Sequence, residues 1–254
     1  MPVLQNKMME YSDIPSLHIN NGFKASGLKA VLFDMDGVLF DSMPRHAKAW
    51  VRVCRDHGLN ISDAEPYYHE GRTGDDTIDI FTRRFLGRPA TAEEKRQIYE
   101  EKCRYFNDYA EEAPQMPGAQ ELLTKVRDEG LTIVVVTGSG QDSLLQRLEH
   151  GYHGFFRREL VVCSHDTKRG KPAPDPYLMG LKKAGVAASE AVVIENAPLG
   201  VQAAVAAGIF TVAVNTGPLD ERVLYDAGAG IVFPSMQACA DAWPDFLSKL
   251  SAAH

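Results

Sequence analysis

Phe33-Asp34-Met35-Asp36-Gly37-Val38 decides how this chain is read. The run that leads into it, Ala30-Val31-Leu32-Phe33, is short and apolar, as in a strand buried on both faces of a parallel sheet. Side chains alternate along a strand, so Asp34 and Asp36 face the same way at its carboxyl end. Gly37 then lets the backbone turn sharply or approach a ligand closely. Two carboxylates there are costly unless a cation or a reaction uses them. The crevice at the strand ends of an open α/β sheet is where ligand chemistry is expected. A strand followed by an acidic turn is the plain alternative for these six residues taken alone.

Downstream, the expected alternation of strand and helix is interrupted once. Helical patterns fill Arg45 to Asp56, Asp75 to Phe85 and Ala92 to Tyr109 with no strand between them. Ser42-Met43-Pro44 fits a helix start with proline in the first turn, and Asp75-Asp76 suits a helix N-terminus. This stretch reads as a helical cap inserted after the first strand, with crossings near Val38–Pro44 and Glu111–Pro117. From Pro117 the units are regular. Strands are predicted at Ile133–Val136, Leu160–Val162, Ala191–Ile194, Phe210–Val214 and Ile231–Phe233. Helices are predicted at Ala119–Asp128, Gln141–Leu148, Pro176–Ala184 and Leu199–Ala207. The fold class is therefore α/β: a doubly wound, mostly parallel (Rossmann-like) core sheet with an inserted helical cap. The division is an N-terminal extension at 1–27, a core at 28–40 and 115–254, and a cap at 41–114.

Composition narrows the function classes. The 254 residues suffice for one large domain or two modest ones, and a net charge of −7 offers no basic footprint for nucleic acid. Mild acidity would also repel a polyanion, so a phosphate substrate needs a cation or a local basic group. Cys54, Cys103, Cys163 and Cys239 lack paired spacing, which argues against a zinc knuckle and a disulfide framework. No apolar run approaches a membrane helix, and Gln5 through Asp13 lacks a signal-peptide core. A soluble protein of a reducing compartment, the cytoplasm, is expected, with a monomer favoured.

The chemistry gathers at the strand ends. Asp34/Asp36, Thr137/Ser139 and Glu195/Asn196 each follow a buried apolar run, and in a doubly wound sheet these ends share one edge. Lys171 sits in the stiff Gly170-Lys171-Pro172-Ala173-Pro174 loop just before a helix. A carboxylate nucleophile, a second acid, hydroxyl and backbone donors, a lysine and an acid–amide pair suit phosphoryl transfer with Mg²⁺. Singly, Thr137-Gly138 could be an ordinary turn and Lys171 a solvated lysine.

Asp34-Met35-Asp36-Gly37-Val38, Val136-Thr137-Gly138-Ser139, Gly170-Lys171-Pro172 and Val193-Ile194-Glu195-Asn196 resemble, in order, the four motifs of the haloacid dehalogenase superfamily. The resemblance runs from about Leu28 to Trp243. With a helical insert after the first motif, the chain is similar to the β-phosphoglucomutase-like branch. Tyr68-His69-Glu70-Gly71-Arg72-Thr73-Gly74 and Glu195-Asn196-Ala197-Pro198-Leu199-Gly200 look like segments of the inorganic pyrophosphatases in that branch. The resemblance implies that Asp34 attacks phosphorus, and that Asp36 protonates the leaving group and later activates water. It implies Mg²⁺ on the Asp34 carboxylate, the Asp36 backbone carbonyl and the Glu195/Asn196 pair. Thr137, Gly138, Ser139 and Lys171 would hold the transferring phosphate.

Two departures from the family pattern bear on substrate. Asn196 stands where a second acid is usual, which lowers the local negative charge by one and favours a substrate that brings its own magnesium. Gly74 stands where the mutase has an arginine, with Arg72 two positions earlier, and Gly140 replaces a lysine. Both losses remove contacts to the distal phosphate of a bisphosphorylated sugar. Glu70, if its loop dips into the site, would disfavour a bare sugar phosphate and suit a magnesium-loaded pyrophosphate; a solvated helix-end acid is the alternative. His46 and Trp50 share a helix face: Trp50 suits cap core, while His46 could orient Asp36 or simply pack. The expected activity is Mg²⁺-dependent hydrolysis of inorganic pyrophosphate through an aspartyl-phosphate. The alternatives are β-phosphoglucomutase, a broad sugar-phosphate phosphatase, or a non-catalytic phosphoryl-sensing regulator.

Overall fold

Strand β1, Ala30–Phe33, lies in the middle of a parallel sheet, and all four of its residues are wholly buried. The computed structural model describes residues 27–108, 113–138 and 144–252. Residues 1–26 of the expected extension, Ser139, Gly140 and Glu111 lie outside the described residues. Strands β2 (Thr132–Val136), β3 (Val161–Val162), β4 (Ala191–Glu195), β5 (Phe210–Val214) and β6 (Ile231–Phe233) complete the sheet in the order β3-β2-β1-β4-β5-β6. Val31 lies in register with Ile133 on one side and Val192 on the other.

Alternation assigns the two faces of the sheet to two cores. Val31, Phe33, Val135 and Ile194 pack beneath α5 (Ala119–Asp128) and α10 (Met236–Ala252), through Leu122, Trp243 and Phe246. Leu32, Val134 and Val193 face α7 (Asp175–Ala184) and α8 (Pro198–Ala206), through Tyr177, Leu181 and Ala203. Each such buried aliphatic or aromatic side chain stabilises by roughly 1.5–3 kcal/mol. Two further helices, α6 (Leu144–Gly151) and α9 (Glu221–Asp226), complete the core.

Between β1 and α5 the described residues form four helices: α1 (Met43–Asp56), α2 (Glu65–Tyr68), α3 (Gly74–Leu86) and α4 (Ala92–Asp108). They enclose their own cluster of Val53, Leu59, Ile78, Phe81 and Ile98, with Trp50 packed against it. Thr73 caps α3 by accepting from the Asp76 N–H at 3.2 Å, and Gly87 closes it in the left-handed conformation at φ 70°.

The elements differ from the sequence-based expectation in few places. α2, α9 and α10 add to the expected helices; Pro244 inside α10 argues against one continuous helix, yet the helix runs through it. Leu160 belongs to a 3₁₀ turn, Arg158–Leu160, that leaves β3 with two residues. Ser42 stands at the N-terminus of α1 but makes no side-chain cap, because its hydroxyl is bonded to Asp36. All four cysteines are unpaired, and among the described residues no helix is long and apolar enough to cross a membrane.

Candidate active site

β1 is the strand at which the chain order reverses, with β2 on one side and β4 on the other. Asp34, Thr137 and Glu195 are carried to one edge by the ends of these three strands, and all three are buried. Lys171 reaches them from the loop before α7. Its ammonium donates to Asp34 Oδ1, to Glu195 Oε1 at 2.6 Å and to the Val136 carbonyl at 3.2 Å. Lys171 is thus the cation between two buried carboxylates.

Glu195 is fully engaged. Its Oε1 also accepts from the Tyr177 hydroxyl at 2.9 Å, and its Oε2 accepts from the Asn196 and Ala197 N–H groups at 2.8 and 3.0 Å. Gly200 is required beneath it, since a Cβ there would lie 1.7 Å from Oε1. The resemblance implies Glu195 as a metal ligand; its oxygens here also anchor Lys171 and the β4–α8 turn. The side-chain oxygen left open next to it is Asn196 Oδ1, buried and without a hydrogen-bond partner. The Asn196 amide lies over Gly37, where a Cβ would come within 2.1 Å of Nδ2, and Gly37 takes φ +81°.

The cap supplies Glu70. Both its oxygens accept from Asn196 Nδ2, at 3.0 and 3.1 Å, so the 70–74 loop does enter the site. Burial pushes the Glu70 carboxyl well above its usual range, and Asp34, Glu195 and Asp36 add to this against the Asn196 hydrogen bond. Burial likewise raises Asp34, to about 8, with Glu195 and Asp36 adding and Lys171 opposing. These carboxylates are short of positive charge.

Asp36 has the opposite environment. Burial works against its charge, yet His46, Arg147 and Ser42 together hold it well below the usual carboxylate range. Arg147 Nη2 stands 3.2 Å from Asp36 Oδ1, and His46 Nε2 stands 3.7 Å away. His46 is itself lowered by burial and by Lys102, whose Nζ lies 2.9 Å from His46 Nδ1. A neutral imidazole with Nδ1 accepting from Lys102 turns an Nε2–H toward Asp36, which leaves Arg147 as the cationic partner.

A cavity of about 110 Å³ is lined by Asp34, Asp36, Thr137 and Gly138 from the core, and by Glu70 and Arg72 from the cap. The Nε of Arg72 is buried with no partner. Trp50 serves in both settings, packing in the cap cluster and bordering the cavity. Ser42, Lys102, Arg147 and Tyr177 were missed in the sequence. Lys102 left a signal, as the one cation in the Ile98–Lys102–Phe106 stripe at helical spacing.

With metal chelated, stability should fall as pH rises from 6.5 to about 8. Asp34 and Glu70 hold protons more tightly folded than unfolded, so their contribution is present at low pH and is lost as pH rises through the folded values. His46 and His69 are lowered and act oppositely, but only below their unfolded value of 6.5. The thermal midpoint in chelator should drop across this window, and Mg²⁺ should flatten the slope; a midpoint that rises would contradict it.

Known proteins match this arrangement. A family model of haloacid dehalogenase-like hydrolases matches residues 28–208. Hexitol phosphatase A of Escherichia coli is 35% identical over 190 residues, 74% of this chain and 83% of that one. A phosphorylated carbohydrates phosphatase of Thermotoga maritima is 30% identical over 204 residues, 80% and 92% of the two chains. A solved candidate β-phosphoglucomutase of Bacteroides vulgatus is 55% identical, covers 88% of this chain and 90% of that one, and superposes with a TM-score of 0.85. The family match runs from β1 through α8 and so takes in every strand-end group described above. The chain therefore belongs to the haloacid dehalogenase-like hydrolases and shares the build of their β-phosphoglucomutase-like members.

Proposed function

We propose that this hydrolase moves a phosphoryl group from a small phosphorylated substrate to Asp34 and then to water, and that its substrate is inorganic pyrophosphate. An Asp34 oxygen forms a bond to phosphorus as the bridging P–O bond breaks, and the departing oxygen takes a proton that Asp36, ionised in the free enzyme, receives from the bound hydrogen-pyrophosphate ion. Water then attacks the phosphorus of the aspartyl-phosphate and gives its proton to Asp36, releasing phosphate and restoring Asp34. Lys171, the Thr137 hydroxyl and the Gly138 backbone suit the equatorial oxygens, whose charge they would offset. Arg72 and Lys102 border the cap side of the cavity, where the leaving group would lie.

The donor set fits a hard divalent cation. Among the described residues no cluster of three His, Cys, Asp or Glu forms a metal centre, so the protein offers only part of a shell. Asp34, the open Asn196 amide oxygen and the Asp36 carbonyl would hold Mg²⁺, with substrate oxygens and water completing the octahedron. Bound there, the ion would neutralise phosphate charge and keep Asp34 ionised.

The observation that turns the reading from sugar phosphates to pyrophosphate is Glu70 on Asn196. Burial and its acidic neighbours keep Glu70 protonated without a cation; a magnesium-loaded anhydride would bring the charge that ionises it and water for it to accept from, whereas a bare phosphate ester adds only negative charge beside it. The relatives named for carbohydrate phosphates, with the aromatic faces of Trp50 and Tyr99 on the cavity, favour a sugar-phosphate phosphatase as the second reading. Glu70→Ala separates the two. The ratio of kcat/KM for pyrophosphate over glucose 6-phosphate should fall by roughly 10–100-fold, the usual effect of losing an outer-shell partner. A ratio that holds steady, or a parent that prefers the sugar phosphate, overturns the pyrophosphate reading.

A further inference from the structure

Helix α1 carries a stripe of positive charge that the active site does not use. Arg45, Lys48, Arg52 and Arg55 recur at intervals of three, four and three residues, so they share one face of the helix. His46 and Trp50, which border the active-site cavity, lie on the opposite side. Lys48, Arg52 and Arg55 line an open groove of about 620 Å³ at the seam between cap and core. Across from them stand Asp63 and Tyr67 of the cap and Pro218 of the core loop between β5 and α9. The Tyr67 ring meets the core at Gly217, where a Cβ would lie 3.1 Å from Cδ1.

Among the described residues none of Lys48, Arg52 and Arg55 has a carboxylate within ion-pair distance, whereas Arg84, Arg88, Lys95 and Arg96 elsewhere in the cap each have one. Arg52 lies instead over the Tyr105 ring, 3.9 Å from its centroid. Three cations against the single carboxylate of Asp63 leave two net positive charges in one groove of a chain whose net charge is −7. Such a local reversal of sign attracts an anion.

We propose that this groove is a second ligand site, separate from the active-site cavity, and that it takes a nucleoside triphosphate. Lys48 and Arg55 are seven residues apart, about 10 Å along the helix axis, which suits a chain of phosphates better than a single one. Arginine and lysine both donate to phosphate oxygens, arginine with a fork of donors. The rest of the lining is apolar or aromatic, and Tyr67 offers a ring on which a base can stack; a bare polyphosphate would leave that wall unused. The volume falls within the roughly 300–1,000 Å³ of small-molecule sites. A ligand that reaches both Lys48 and Pro218 touches cap and core together. The site does not depend on which phosphate the enzyme hydrolyses.

Calorimetric titration of the non-hydrolysable ATP analogue AMP-PNP, with tripolyphosphate as the partial ligand, tests this. The parent should bind AMP-PNP about fivefold or more tightly than tripolyphosphate, the scale of one stacked base. Lys48→Ala/Arg55→Ala should weaken AMP-PNP by about 10–100-fold, as expected for lost hydrogen bonds from charged groups. Tyr67→Leu should bring AMP-PNP down to the level of tripolyphosphate. Neither Lys48 nor Arg55 borders the active-site cavity, so turnover of the double variant without nucleotide should match the parent, which also shows that it is folded. Equal AMP-PNP affinity in parent and double variant would put the nucleotide in the active-site cavity and overturn the second site, as would a parent that does not bind it. Tripolyphosphate binding the parent as tightly as AMP-PNP would overturn the nucleotide.

Discussion

Asp34→Asn should abolish turnover while leaving the protein at least as stable as the parent. The substitution keeps shape but removes the attacking oxygen's charge, and loss of a covalent nucleophile costs on the order of 10³-fold or more in kcat. Stability should move the other way, because Asp34 is crowded by Glu195 and Asp36 in a buried site that already pushes it up to about 8. An amide there removes the like charge and should also weaken the pH dependence of the metal-free protein. Steady-state phosphate release and thermal unfolding at pH 8 measure the two halves. Retained activity would refute the aspartyl-phosphate, and a lower midpoint would refute the charge argument.

Lys171→Met should lose both activity and stability. Lys171 is 2% exposed and bonds both Asp34 and Glu195, so its removal leaves two buried carboxylates without their shared cation. Breaking a buried ion pair from one side costs about 3–5 kcal/mol. In the Asp34→Asn background one of the two stranded charges is already gone, so the same change should cost measurably less. Denaturant unfolding of the four proteins gives the coupling directly. Equal costs in both backgrounds would mean that Lys171 answers to Glu195 alone.

How much of this was legible in the sequence depends on the range of the contact. β1, β2 and β4 could be placed because short β-branched runs ending in polar residues carry their own boundary signals, and their polar ends predict a shared edge. Lys171 could be assigned to that edge from its stiff loop. What could not be read is how hydrogen bonds are divided among the residues that meet there. Glu195 is a metal ligand by resemblance, and nothing local reveals that Lys171, Tyr177 and two backbone N–H groups also converge on its oxygens. Arg147 is one cation in an unremarkable amphipathic helix, and its partner Asp36 is 111 residues away. Ser42 carries a capping signature that the fold spends on Asp36 instead.

The central place of β1 also fixes the order in which the chain can assemble as it is made. Among the described strands β1 leaves the ribosome first, but its two neighbours span Thr132–Val136 and Ala191–Glu195. At ~5–20 residues per second, roughly 8 to 30 s pass between the emergence of Phe33 and of Glu195. Through that interval the apolar Ala30–Phe33 segment has no strand on its second side, and parallel pairing over such separations is slow in any case. The helices from Met43 to Asp108 close their own cluster from contacts within one continuous stretch and emerge in the meantime. The helical insert is therefore, among the described residues, the first stretch able to bury apolar surface as the chain emerges.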